Sequence, residues 1–160
     1  MDLTIAIITK NAEQTLHRTL AAVAGFAQCV VVDDYSTDRT QAIAAAFGCS
    51  VYLHHSYDFG EQRAYALALV HTKWTLVLDS DEVVTEELKA EIRKAIATDA
   101  YTGYYIPLRN HLFGRPLRHG ELHKKLILFS NIYFSLLSLQ MAIPLTSKFR
   151  RWPYSLIQPI

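Results

Sequence analysis

Residues 3–32 read LTIAIITKNAEQTLHRTLAAVAGFAQCVVV, and the change of period inside this stretch decides the fold. Leu3 to Thr9 is a continuous apolar, β-branched run, which suits a strand covered on both faces. Leu16, Leu20, Val23 and Ala24 then recur at helical spacing behind Asn11, the expected N-cap, and Gly25 supplies a stop. Cys29 to Val32 is a second buried strand. The same alternation continues outward. Thr37 to Phe47 predicts an Ala-rich helix ended by Gly48, and Ser50 to His54 a short third strand. After a loop at Asp58 to Gly60, Ala64, Leu67, Ala68 and His71 mark another helix, and Trp74 to Leu78 is the fourth strand. Thr85 is placed to cap a helix with Glu86 and Glu87 in its first turn and Leu88, Ile92 and Ile96 as its buried stripe. Gly103 to Leu108 and Leu122 to Phe129 are two further candidate strands.

Strands alternating with helices imply an α/β fold with a doubly wound, mainly parallel sheet and right-handed crossovers. Such sheets bind ligands beyond the carboxyl ends of their strands. Three loops there carry polar or acidic residues: Thr9-Lys10-Asn11, Asp33-Asp34-Tyr35-Ser36 and Asp79-Ser80-Asp81-Glu82.

Composition narrows the partners. With 160 residues, 51% of them hydrophobic, the chain can bury one core. A net charge of +1 with scattered Lys and Arg gives no field that would recruit nucleic acid. No run approaches the roughly 18 apolar residues of a spanning helix. Cys29 and Cys49 lack a CxxC spacing, and no secretory leader precedes the first strand, so both read as reduced packing residues of a cytoplasmic protein.

Asp79 and Asp81 follow an apolar strand one residue apart. Alternate residues of an extended segment face the same way, so the two carboxylates would converge on one object. Close carboxylates repel unless a cation or proton lies between them. A hard ion such as Mg²⁺ or Mn²⁺, completed by phosphate oxygens, meets that need; the alternative is a solvated acidic turn before the Thr85 helix. A second acidic pair, Asp33 and Asp34, ends another buried strand on the same sheet edge, where a carboxylate can accept from a ribose hydroxyl or a base N–H. Asp38 reads as support for the following helical turn.

Four ordered segments resemble the family 2 glycosyltransferases of the GT-A fold, a Rossmann-like nucleotide-binding architecture. They are the opening strand with Thr9-Lys10-Asn11, Val31 to Thr40 (VVDDYSTDRT), Phe59 to Leu67 (FGEQRAYAL) and Leu76 to Glu82 (LVLDSDE), and the likeness extends from residue 3 to about 130. It is greatest to the bacterial branch that builds lipopolysaccharide core and related cell-surface glycans. The resemblance implies transfer of a sugar from a nucleoside diphosphate, a UDP-sugar foremost, to a glycan or glycolipid acceptor. It implies that Asp34 contacts base and ribose together with Thr9, with Asp33 a further candidate. Arg63 would lie near the nucleotide or diphosphate, the alternative being a surface Arg on a helix. Asp79 would face the ribose or sugar, and Asp81 would bind the Mg²⁺ or Mn²⁺ of a DXD motif beside it, with Glu82 supporting them from behind.

Inverting members also need a carboxylate to deprotonate the acceptor hydroxyl. This chain has no Asp or Glu after Glu121, so Glu121 is the last possible base; acceptor contact or a solvated turn are its alternatives. His119 and His123 read as polar loop residues. The sequence divides into a nucleotide-sugar-binding domain at 1–130 and an atypical tail at 131–160, and the acceptor side is expected to be truncated. Ile132 to Leu145 followed by Lys148, Arg150, Arg151 and Trp152 has a second reading, peripheral contact with an anionic membrane. Two rival functions stand beside transfer. One is a nucleotide- and metal-binding remnant without catalysis. The other is a haloacid-dehalogenase-like phosphatase with Asp79 as nucleophile and Asp81 as acid/base, which lacks the second downstream acidic pair that it requires.

Overall fold

Strand β1 (Leu3–Thr9) is buried along its whole length. Its alternate side chains enter two different cores. Leu3, Ile5 and Ile7 pack with Leu16, Leu20, Trp74, Leu76, Leu88 and Ile92, whereas Ala6 and Ile8 pack with Val30, Val32, Ala66 and Val70. Two covered faces are the physical reason for an unbroken apolar run where a one-sided sheet would alternate. The computed structural model describes residues 1–98, 100–107, 111–112, 115–116, 124–131, 149–151 and 157–159.

Strand β1 pairs in parallel with β2 (Gln28–Asp33) on one side and β4 (Trp74–Asp79) on the other, and β3 (Ser50–Leu53) pairs in parallel with β2. Strands β6 (Gly103–Pro107) and β9 (Lys124–Ser130) extend the sheet beyond β4, with β9 antiparallel to both β4 and β6, and β10 (Phe149–Arg151) adds in parallel to β6. The resulting order is β10-β6-β9-β4-β1-β2-β3. A short strand, β5 (Glu82–Val84), pairs antiparallel with β11 (Ile157–Pro159), and β7 (His111–Leu112) with β8 (Arg115–Pro116). Two strands from the last thirty residues thus pair with earlier parts of the fold.

Helices α1 (Leu16–Val23), α2 (Thr40–Ala46), α3 (Phe59–Ala68) and α4 (Glu86–Thr98) cover the sheet. Gly25 and Gly48 have φ of +69° and +74°, so each takes the left-handed turn after a helix that a Cβ would strain. Thr85 caps α4 as expected, its Oγ1 accepting from Leu88 N at 3.2 Å.

Other local expectations need correction. Asn11 is not the cap of α1; it has φ +48°, and its Oδ1 accepts from Thr37 N at 2.9 Å, tying the β1 loop to the β2 loop. The expected helix from Thr37 starts only at Thr40, because Asp38 Oδ1 accepts from Thr40 N at 2.9 Å and holds the preceding residues in a turn. On α3 the buried residues are Gln62 and Ala66, followed by Val70, not the Ala64, Leu67, Ala68 and His71 face. A buried glutamine opens that stripe, so an apolar count could not find it. Finally, Ser80 and Asp81 form a turn between β4 and β5, so the extended-segment argument for convergence of Asp79 and Asp81 does not apply.

Cys29 and Cys49 are free thiols, half-buried beside the larger core. Their mutual hydrogen bond and burial push the Cys29 thiol up and keep it protonated. Among the described residues no helix is long and apolar enough to cross a membrane.

Candidate functional site

The register β1 to β2 pairs Thr9 with Asp33, and β1 to β4 pairs Ile8 with Asp79, so the three chain ends stop at one sheet edge. Beyond that edge is a cavity of about 590 Å³. Thr9 and Lys10 line it from β1, Asp34 from β2, Asp79 and Ser80 from β4, and Asp58, Phe59, Gln62 and Arg63 from the start of α3. Asp58 caps that helix, its Oδ1 accepting from Gly60 N at 2.9 Å.

The two acids of the β2 loop have separate tasks. Asp33 is fully buried. Its Oδ2 accepts from Ser36 N and from Gln41 Nε2, both at 2.8 Å, and its Oδ1 from the Ser36 hydroxyl. It builds the turn and does not line the cavity. Asp34 does line it. Its Oδ2 accepts from Lys10 Nζ and its Oδ1 contacts His55 Nδ1, each at 2.7 Å. The Lys10 ammonium first, and His55 second, hold the Asp34 carboxyl below the usual carboxylate range. Asp38, held below that range chiefly by the Thr40 hydroxyl, supports the first turn of α2 and also accepts from Glu13 N at 3.1 Å.

Across the cavity Arg63 Nη2 donates to Asp79 Oδ1 at 2.9 Å. Asp79 N in turn donates to Glu82 Oε2 at 2.9 Å, and Glu82 is buried. Thr19 Oγ1 of α1 anchors the turn by donating to Ser80 O at 3.0 Å. Asp81 is exposed on that turn and is not part of the cavity lining. Glu121, His119 and His123 lie outside the described residues.

Of the residues singled out from the sequence, the structure therefore brings Thr9, Asp34, Arg63 and Asp79 to one cavity. It adds Lys10 and Gln62 to the lining, and His55 as a partner of Asp34 outside it, none of which motif reading assigned a role. Tyr57 and Phe59 stand at the rim, 97% and 77% exposed. Chemically, the site offers paired charges: two cations, Lys10 and Arg63, suited to phosphate, each now neutralised by a carboxylate suited to hydroxyl groups or a metal ion.

This doubly wound sheet, with its antiparallel β9 and a site at the carboxyl edge, is the GT-A glycosyltransferase fold. S. aureus TarS (residues 1–349) superimposes with a TM-score of 0.78 at 16% identity, over 99% of this chain and 60% of that one. Glucosyl-3-phosphoglycerate synthase from Mycobacterium tuberculosis, in complex with Mn²⁺, UDP-glucose and phosphoglyceric acid, gives 0.59 at 18% identity, over 68% and 44%. Residues 4–149 match the profile of Glycosyl transferase family 2, and the chain belongs to that family. An uncharacterized glycosyltransferase of Rickettsia bellii is 34% identical over 106 residues, which are 64% of this chain and 36% of that protein. The chain thus spans little more than a third of this relative. Family membership sets aside the phosphatase reading of Asp79 and Asp81.

Proposed function

We propose that the chain is the donor-binding part of a glycosyltransferase that takes its sugar from a nucleoside diphosphate, uridine diphosphate foremost, with Mg²⁺ or Mn²⁺. The observation that carries this reading is the convergence of Asp34, Arg63 and Asp79 on one cavity beyond the carboxyl ends of parallel strands. Asp34, already ionised and fixed from two sides, suits the role of acceptor for ribose hydroxyls or a base N–H. Arg63 and Lys10 suit the diphosphate, exchanging their carboxylate partners for phosphate oxygens.

The donor chemistry at this edge suits a divalent ion that arrives with the nucleotide: Asp79 lines the cavity, and Asp81 is exposed on the adjoining turn, outside the lining. Asp79 and Asp81 flank the Ser80 turn, and two carboxylates leave most positions of an octahedral ion to phosphate and water. Among the described residues no group of three or more His, Cys, Asp or Glu forms a complete cage. When bound, such an ion supplies Lewis-acid stabilisation of the leaving diphosphate. The Mn²⁺ and UDP-glucose of the mycobacterial relative of the fold support this choice.

The finer assignment follows the resemblance. Residues 1–130 bind the donor, and 131–160 are an atypical tail that does not complete an acceptor site. The acceptor is a glycan or glycolipid in cell-surface glycan synthesis of the lipopolysaccharide-core type, met at the cytoplasmic face of a membrane, and Glu121 is the candidate base. Calorimetric titration tests the donor site. UDP should bind measurably only with Mn²⁺ or Mg²⁺ present, and Asp81→Ala should abolish the metal effect. Equal UDP affinity with and without metal would refute the metal assignment.

A further inference from the structure

Cys29 lies near the start of β2 and Cys49 directly precedes β3, and the parallel pairing of these strands brings the two residues together. Val30 is opposite Ser50 and Val31 opposite Val51, so one step back along both chains sets Cys29 opposite Cys49. Gly48, at φ +74°, turns the chain out of α2, and Cys49 N donates to Ala44 O at 3.2 Å, so the end of the helix fixes the approach to β3. Alternate residues of a strand share a face, and Cys29 and Cys49 pack with Val31 and Val51 against the larger core.

This placement meets the requirements of a disulfide. Neighbouring strands are about 4.8 Å apart, inside the roughly 4.4–6.8 Å between Cα atoms that the bond spans. Two thiols that are opposite in register and on one face can therefore join without movement of the backbone. Both are free in this structure, and both are half-buried, so a small reagent has access to them.

We propose that Cys29 and Cys49 are a dithiol modification site, oxidised reversibly by a small-molecule disulfide to an intramolecular bridge that staples the start of β2 to the start of β3 around α2. The electrostatics set the order of events. Cys29 donates its S–H to Cys49, which holds the Cys49 thiol below its ordinary range, while that hydrogen bond and burial push Cys29 up. Cys49 is the attacking thiolate. Its sulfur breaks the S–S bond of the reagent RSSR, expelling one RS⁻ and forming a Cys49–S–S–R mixed disulfide. Cys29 then loses its proton and attacks the Cys49 sulfur, expelling the second RS⁻. The balance is two protein thiols plus RSSR giving the bridge plus two RSH, so two electrons pass from the protein to the reagent. Bridging constrains the unfolded chain over the segment that contains α2, which stabilises the fold. The pair is at the opposite end of β2 from Asp33 and Asp34, so the staple acts on the fold and not on the donor cavity.

The test is incubation of the full chain with oxidised glutathione, read by intact mass and by thermal melting without reductant. The wild type should lose the mass of two hydrogen atoms together with both free thiols, and its Tm should rise by about 5–10 °C. Dithiothreitol should reverse both changes. Cys29→Ser should stop at one glutathione adduct on Cys49, because the resolving thiol is gone, and Cys49→Ser should react more slowly. A wild type that keeps both thiols, that ends as a glutathione adduct, or that links two chains overturns the inference. So does a bridge that lowers the Tm, since the native register would then not accommodate it. The wild-type mass decides the matter even where a variant fails to fold.

Discussion

Asp33 and Asp34 are adjacent in sequence and chemically identical, yet their surroundings give them opposite consequences on mutation. Asp33 is sealed in the turn with three donors, so Asp33→Ala strands them and should cost about 2–4 kcal/mol in urea unfolding. Asp34→Ala should instead abolish UDP binding in calorimetry while the protein stays folded at 25 °C. The depressed Asp34 pKa also sets a pH window. A carboxylate with a lowered folded value contributes stability above its unfolded value of about 3.9, and loses it as pH falls through the lower folded value. Comparing urea midpoints of wild type and Asp34→Asn from pH 7 to pH 2, the wild-type advantage should persist to about pH 4 and fade only below it; an advantage already gone well above pH 4 would show that ionisation of Asp34 does not govern it. Asp34 was legible because a strand end supplies its position. Its partners Lys10 and His55 were not, since both pairings depend on where the β1 and β3 chain ends meet.

At the level of elements, two N-caps of equal strength should separate stability from binding. Thr85→Ala and Asp58→Ala each remove one cap from a helix, for about 1 kcal/mol apiece. Asp58 starts α3, which carries Gln62 and Arg63 into the cavity, whereas Thr85 starts α4. Asp58→Ala should therefore lower UDP affinity as well as the unfolding midpoint, while Thr85→Ala should lower the midpoint alone. Equal UDP affinity in the two variants would remove α3 from the site. The same two helices explain what the sequence disclosed at this scale. Leu88 and Ile92 in α4 keep an apolar stripe that periodicity detects. The buried face of α3 begins with Gln62, whose Nε2 is held inward by donating to the His54 carbonyl. Periodicity finds faces made by hydrophobic burial and misses those that open on a polar contact. Strand β5, three residues long, is set by its pairing with distant β11 and has no local signal.

For the whole molecule, donor binding and sugar transfer are separable, and the sequence distributes them unevenly. Every residue assigned to the donor lies between Thr9 and Asp81, on strands whose ends the parallel register aligns. Transfer to an acceptor by an inverting route needs in addition a carboxylate positioned beyond that half of the site. Glu121 is the last acid in these 160 residues, and the relative in Rickettsia bellii is nearly three times as long as the matched part. The 160-residue chain should accordingly bind UDP-sugar with Mn²⁺ yet show little transfer to glycan acceptors. Slow release of free sugar is compatible with this, since hydrolysis engages the donor half alone. The measurement is a product assay over a panel of UDP-sugars and acceptors with wild type and Glu121→Gln in parallel. Vigorous transfer lost in Glu121→Gln would make Glu121 the base and overturn the prediction; vigorous transfer that survives in Glu121→Gln would point to a mechanism that uses no carboxylate base from this region.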